Sequence, residues 1–223
     1  MSDRPEGGTA LAGSATGAKD AGGAAAATLD DVKRLREETA AGMLDCKKAL
    51  TDAGGDFEKA RDILRKKGLA AAAKRADRVA SQGLIASYVH MGKVGVLVDV
   101  RCETDFVART EEFGRMAKAV AMQVAVARPR FLKREEVPAD VIEREKAIFT
   151  EQAAASGKPP QIVEKMVAGK LEKFYAEVCL LEQEFLIAPE SSAKTVSDFI
   201  TEIAAKVGEK VELARYSRLE LGA

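Results

Sequence analysis

Histidine is almost missing from this chain of 223 residues; the single one is His90. No second histidine can complete a Cys/His zinc site, and no Ser/His/Asp or Cys/His pairing falls within a short segment. Cysteine is scarce as well. Cys46, Cys102 and Cys179 are odd in number, far apart and without C-x-x-C spacing. They read as buried thiols in a reducing compartment, not a disulfide framework, so a cytoplasmic chain is expected. Charge of one sign is not in excess, since 35 Lys and Arg balance 35 Asp and Glu. Binding to a phosphate backbone needs a basic surface, so no direct nucleic-acid partner is expected. No apolar run approaches the roughly 20 residues that span a bilayer, and no membrane partner is expected. The N-terminus lacks a basic region followed by an apolar core. Asp3, Glu6 and Asp20 interrupt what a transit peptide would keep free of acids. Phosphate-binding glycine loops are missing too. The nearest look-alike, GSATGAK at 13–19, has the wrong spacing. Carboxylates are plentiful but lie among Lys and Arg, where solvation explains them. The common chemistries lack parts, and no cofactor or metal set is visible. The chain therefore reads as a protein that binds another protein, not an enzyme.

What is present falls into four stretches: 1–27, 28–68, 69–82 and 83–223. Residues 1–27 are mostly Ala and Gly with scattered charges and little large apolar surface beyond Leu11, so disorder is expected. Residues 28–68 read as a compact three-helix module. Thr28 with Asp31 makes a capping pair, and Leu29, Val32 and Leu35 recur at helical spacing. After a break at 39–42, Met43, Leu44, Cys46 and Leu50 begin a second helix that stops at Gly54-Gly55. Asp56 caps a third, carried by Phe57, Ala60, Ile63 and Leu64 and ended by Gly68. Residues 69–82 read as an Ala-rich helical linker. The nearby Lys66, Lys67, Lys74, Arg75 and Arg78 form a solvated face more simply than a nucleic-acid contact.

From residue 83 the period changes from 3.6 to 2. Leu84, Ala86 and Tyr88 alternate along one strand, and Val94, Val96, Val98 and Val100 along the next, with Met91-Gly92-Lys93 as a hairpin loop. Val211, Leu213 and Leu219 share even spacing on a third strand. Helical stripes flank them. One carries Phe113, Met116, Ala117, Val120 and Val124; the other carries Val196, Phe199, Ile200, Ile203, Ala204 and Val207 behind a Thr195/Asp198 capping pair. The fold class expected is α+β, a small antiparallel sheet flanked by helices. Inserted at 138–178 is a protruding antiparallel helical hairpin. Its seam pairs Val163, Val167, Leu171, Phe174 and Val178 with Val141, Ile142, Ile148 and Phe149.

The informative segment is 101–109, RCETDFVAR, which leaves a Val-rich strand as a connecting loop. Phe106 stands beside Asp105 and between Arg101 and Arg109, with no Gly or Pro to shape a plain turn. Loops on a rigid scaffold often carry function. The ring either faces a partner or folds back to plug the sheet edge, and spacing does not separate these. His90 sits at the mouth of the hairpin, where an edge histidine and a binding residue look alike.

Four stretches resemble one family. VDVRCETDFVAR (98–109) is similar to the signature of elongation factor Ts, the guanine-nucleotide exchange factor of the translation GTPase elongation factor Tu. LREETAAGMLDCKKALTDAGGDFEKARDILRKKG (35–68) resembles its N-terminal module, a fold similar to ubiquitin-associated (UBA) domains. SGKPPQIVEKMVAGKLEKF (156–174) resembles its helical hairpin, and SYVHMGKVGVLV (87–98) its strands. Two departures are evident. The family commonly has T-G-A-G where Thr39-Ala40-Ala41-Gly42 stands here, which would strain Ala40 if a positive φ were needed. Ser217 stands where some short relatives carry a cysteine that bridges a dimer. Room for one core subdomain matches the short form, which implies a homodimer without a disulfide.

The resemblance implies that the chain binds GDP-bound elongation factor Tu and promotes GDP release. Thr104, Asp105, Phe106 and Val107 would dislodge Mg2+, with Phe106 as a wedge whose burial is worth about 1.5–3 kcal/mol. Mutual weakening of about a thousandfold to ten-thousandfold needs roughly 4–5.5 kcal/mol of coupling, more than one ring supplies. Met43 and Leu44 would add a grip on the nucleotide domain, and His90 would help hold a second domain. Two rivals make other demands. A UBA-type adaptor would need only residues 28–68. A thiol enzyme built on Cys102 would need a depressed thiol pKa.

Overall fold

The computed structural model describes residues 28–39, 41–155, 157–187, 191 and 193–222. The disorder expected for 1–27, the glycine look-alike at 13–19 and the strain expected at Ala40 lie outside them.

The module opens with α1 (Leu29–Thr39), α2 (Met43–Asp52) and α3 (Phe57–Arg75). The capping pair forms. The Thr28 N–H donates to Asp31 Oδ2 (3.1 Å) and the Asp31 N–H to Thr28 Oγ1 (3.2 Å). The Lys59 N–H donates to Asp56 Oδ1 (3.1 Å) at the start of α3. Val32, Leu35, Cys46, Ala49, Leu50, Ala60 and Leu64 make the small core. The stop expected at Gly68 does not occur. The helix runs on to Arg75 through the alanines expected to form a linker. Two causes act together. Alanine is the best helix former, and α3 is held against a later helix, α8 (Val196–Val207). A Cβ on Gly68 would lie 3.8 Å from Thr201 Cγ2. One turn earlier, Arg65 forks onto Asp198 (2.7 Å), and at the C-terminal end of α3 Arg75 Nη1 donates to the Ala204 carbonyl (3.4 Å).

The sheet has strands β1 (Gln82–His90), β2 (Val94–Cys102) and β3 (Val211–Glu220), antiparallel in the order β1-β2-β3. The expected hairpin loop, Met91-Gly92-Lys93, joins β1 to β2, with His90 paired to Val94 across its mouth. The Lys93 N–H closes onto the His90 carbonyl (2.9 Å), and Met91 and Gly92 both take positive φ, 49° and 69°. Two left-handed central residues match the twist of the flanking strands. On one face Leu84, Ala86 and Tyr88 oppose Val100, Val98 and Val96 and meet the main core.

The even spacing of Val211, Leu213 and Leu219 does not survive folding. A bulge between Asp99 and Val100 lets Asp99 pair with Arg215 and Val100 with Leu213, so Ala214 is left over. One extra residue flips every later side chain to the other face. Val211 and Leu213 are buried, whereas Leu219 is 74% exposed.

Helices cover one face of the sheet. The single-turn α4 (Asp105–Ala108) leads into α5 (Glu111–Ala127), whose Phe113, Met116, Ala117, Val120 and Val124 are all buried. The Thr195/Asp198 box caps α8, and Gly208 ends it at φ 75°. Between them α6 (Ala139–Ala154) and α7 (Pro160–Val178) pair as the expected hairpin, with their own cluster. Val141, Ile142 and Phe149 join it, but Ile148 does not and is exposed. The α+β architecture read from the sequence is the one the chain adopts.

Candidate partner-binding site

The Val alternation of β2 ends at Cys102, which is fully buried. The segment beyond it is not an open loop. Thr104 takes extended backbone and caps a helical turn, with Oγ1 accepting from the Val107 N–H (3.4 Å). The Thr110 hydroxyl donates to the Val107 carbonyl (2.8 Å) while its oxygen accepts the Phe113 N–H (3.3 Å), so one turn hands over to the next helix. Val107 is buried in the main core, whereas its neighbour Phe106 is 79% exposed. Successive residues on a helix diverge by about 100°, so anchoring one turns the other outward. The ring does not plug the sheet edge. Asp105 and Arg109 pair at 2.9 Å in full view of solvent, where such a pair contributes little. Arg101 is turned elsewhere, onto Asp99 (3.0 Å), and that carboxylate also takes Arg215 (3.1 Å). These two guanidiniums, Arg101 first, hold the Asp99 carboxyl below its usual range.

The four segment residues thus have different surroundings. Phe106 and Asp105 face solvent, Thr104 holds the turn, and Val107 is part of the chain's own core. A carboxylate from the far end of the chain also reaches the turn. Glu209 Oε2 accepts the Glu103 and Thr104 N–H groups (3.1 and 3.0 Å), and Oε1 accepts the Thr104 hydroxyl (2.6 Å). Sequence reasoning missed Glu209, because nothing near residue 209 signals a partner more than a hundred positions away.

Met43 and Leu44 open α2 just past Gly42, and both are exposed, Leu44 at 82%. His90 ends β1, exposed, with Nδ1 hydrogen-bonded to the Tyr88 hydroxyl (3.0 Å). It pairs with Val94, at the opposite end of β2 from Cys102. The two ends are eight residue steps apart along the strand, about 26 Å. The structure therefore does not gather His90 and Phe106 into one pocket; any partner touching both is protein-sized.

The uncovered face of the sheet was also missed. Ile85, Val89, Leu97 and Leu219 are all exposed there, with Leu97 opposite Ser217 and Leu219 opposite Gly95. The odd positions of the first two strands carried that signal.

Burial pushes the Cys102 thiol up, and Glu209 adds to the effect. That is opposite to the depressed value a thiol enzyme requires. Among the described residues no group of His, Cys, Asp and Glu is placed to hold a metal ion, and no helix is long and apolar enough to cross a membrane.

A family model described as Elongation factor TS matches residues 33–194. Elongation factor Ts of Desulforamulus reducens is 59% identical over 192 residues, covering 86% of this chain and 87% of the relative. The chain belongs to the elongation factor Ts family. Elongation factor Ts of Desulfotalea psychrophila is 56% identical over 192 residues, 86% of this chain and 96% of the relative. That of Thermodesulfovibrio yellowstonii is 53% identical over 197 residues, 88% and 97%. Membership makes the chain a translation elongation factor, acting in protein biosynthesis. The elongation factor Ts match spans α2, β1, β2 and α4, so Met43, Leu44, His90 and Thr104–Val107 all lie within it.

Proposed function

We propose that the chain is a guanine-nucleotide exchange factor that binds the GDP-bound form of elongation factor Tu and releases its GDP. The observation that carries this reading is the exposed Phe106 ring on a turn locked by the buried Val107. An apolar ring held in water gains about 1.5–3 kcal/mol when a partner covers it. Spent between helices of the GTPase, that energy holds open an arrangement in which Mg2+ and the phosphates have lost contacts. Thr104 shapes the turn, Asp105 faces the region of the ion, and Val107 acts from inside as the anchor. Met43 and Leu44 grip the nucleotide domain, and His90 contacts a second domain; the distance between the sheet ends suits so broad a footprint. Binding and release obey linkage, so nucleotide weakens the factor's binding as much as the factor weakens the nucleotide's. The protein transforms no substrate of its own and works in the cytoplasm.

Two chains form the working unit in this reading. Of the apolar residues on β3, Val211 and Leu213 are buried in the core, and Leu219 joins Ile85, Val89 and Leu97 on the uncovered sheet face, which supplies the contact. A two-fold axis over that face sets the same patch against itself. The primary test is release of labelled GDP from elongation factor Tu. Acceleration by substoichiometric amounts of this protein is expected; an unchanged rate at saturating protein overturns the reading.

A further inference from the structure

The turn that displays Phe106 is four residues long. So short a helix does not support itself, because nucleation costs more than its few bonds return. Something outside must hold it. Val107 and the partly buried Ala108 hold the side toward the core, and the Cys102 thiol donates to the Thr104 carbonyl (3.1 Å), but these contacts leave the Glu103 and Thr104 amides and the Thr104 hydroxyl to be met. The N-terminal end needs its own fixture.

Glu209 meets that need. β2 ends at Cys102, so the Glu103 and Thr104 amides have run past the last strand pairing. Both donate to one oxygen of Glu209, while the Thr104 hydroxyl donates to the other. The hydroxyl has one proton, and committing it to Glu209 leaves a lone pair aimed at the Val107 N–H. The carboxylate therefore sets the rotor of the capping hydroxyl as well as the backbone ahead of it. The arrangement is reciprocal. Glu103 Oε1 accepts the Lys210 N–H (2.6 Å) and Arg78 Nη1 (3.2 Å), so the end of β2 and the start of β3 clasp each other through two carboxylates. Gly208, left-handed at the end of α8, turns the chain so that Glu209 arrives there.

We propose that Glu209 is a positioning residue for Phe106, fixing through the Thr104 cap the direction in which the ring is presented to the GTPase. The inference rests on the exchange reading above. It assigns to Glu209 no contact with the partner.

The test is a double-mutant cycle on GDP release, with Glu209→Ala, Glu209→Gln, Phe106→Ala and the double variant, alongside melting temperatures and amide hydrogen exchange. Glu209→Ala is expected to slow release about fivefold to twentyfold, yet to add less than about twofold once Phe106 is already Ala. Glu209→Gln keeps one oxygen for the two amides and turns N–H groups to the Thr104 oxygen, so its rate should stay within about threefold of the parent. The Thr104 and Val107 amides should exchange faster in Glu209→Ala while those of β2 do not. Normal release by Glu209→Ala beside a slow Phe106→Ala overturns the positioning role and spares the wedge. Equal losses in both backgrounds, or unaltered amide protection, also overturn it. Normal release by Phe106→Ala sinks the exchange reading itself, and the positioning role with it.

Discussion

Phe106 and Val107 are neighbours on one helical turn with opposite surroundings, and substituting each should hurt a different property. The Phe106 ring is 79% exposed, so its own chain covers about a fifth of it. Truncating a fully buried Phe costs about 3–5 kcal/mol. A fifth of that is under about 1 kcal/mol, which moves the melting temperature of a chain this size by roughly 2–4 °C at most. Phe106→Ala should therefore melt almost like the parent. If the ring is the wedge, GDP release from elongation factor Tu should slow about tenfold to a hundredfold, equivalent to roughly 1.4–2.8 kcal/mol lost from the open state. Val107→Ala removes two buried carbons at about 0.8 kcal/mol each and leaves a cavity, so roughly 2–3 kcal/mol of stability should go. Its melting temperature should fall several degrees, and the folded fraction should still exchange better than Phe106→Ala does. The assays are a calorimetric melt and stopped-flow release of fluorescent GDP. A drop of more than about 10 °C for Phe106→Ala with near-normal exchange would refute the reasoning, since it would put the ring's energy inside the chain.

Burial and charge set further expectations. Glu202 lies in α8, where burial raises its carboxyl pKa above 4.5, the Ser191 hydroxyl and Lys206 oppose the rise, and Glu112 adds to it. A carboxyl raised by folding supports stability fully below its unfolded value and loses that support as pH rises through the folded value. Glu202→Gln should thus melt above the parent near neutral pH and level with it below about pH 4; a lower melt near neutrality would show that the Lys206 pair outweighs burial. Leu97→Lys places a charge in the middle of the uncovered sheet face, and light scattering should then report one chain where the parent reports two. A monomeric parent at micromolar concentration would count against the dimer. Because Ser217 cannot bridge, denaturing gels without reductant should show single chains. A Cβ on Gly83 would come within 2.2 Å of the Val100 carbonyl oxygen at a φ of 156°. Gly83→Ala should destabilise by more than about 1 kcal/mol in urea melts, and a neutral result would show that the strand ends can part.

The residues that specify local structure were legible without coordinates. Thr28 with Asp31, Asp56 and Thr195 with Asp198 cap their helices where short-range hydrogen bonding requires. The apolar stripe of α5 and the Val alternation of β2 point inward as their periods demand. The family, too, is written in contiguous residues, with TDFV at 104–107 foremost among them. These features depend on neighbours within one or two turns, so the order of residues contains them. Folding decided the rest. Gly68 stays helical because α8 lies against it, and Leu219 reaches solvent because one residue bulges against the middle strand. Phe106 and Val107 look interchangeable in a row of letters; the core claims one and leaves the other in water. Glu209 reaches Thr104 across 105 positions of chain. No local propensity encodes such a meeting, because its free energy exists only once two distant strands have been paired.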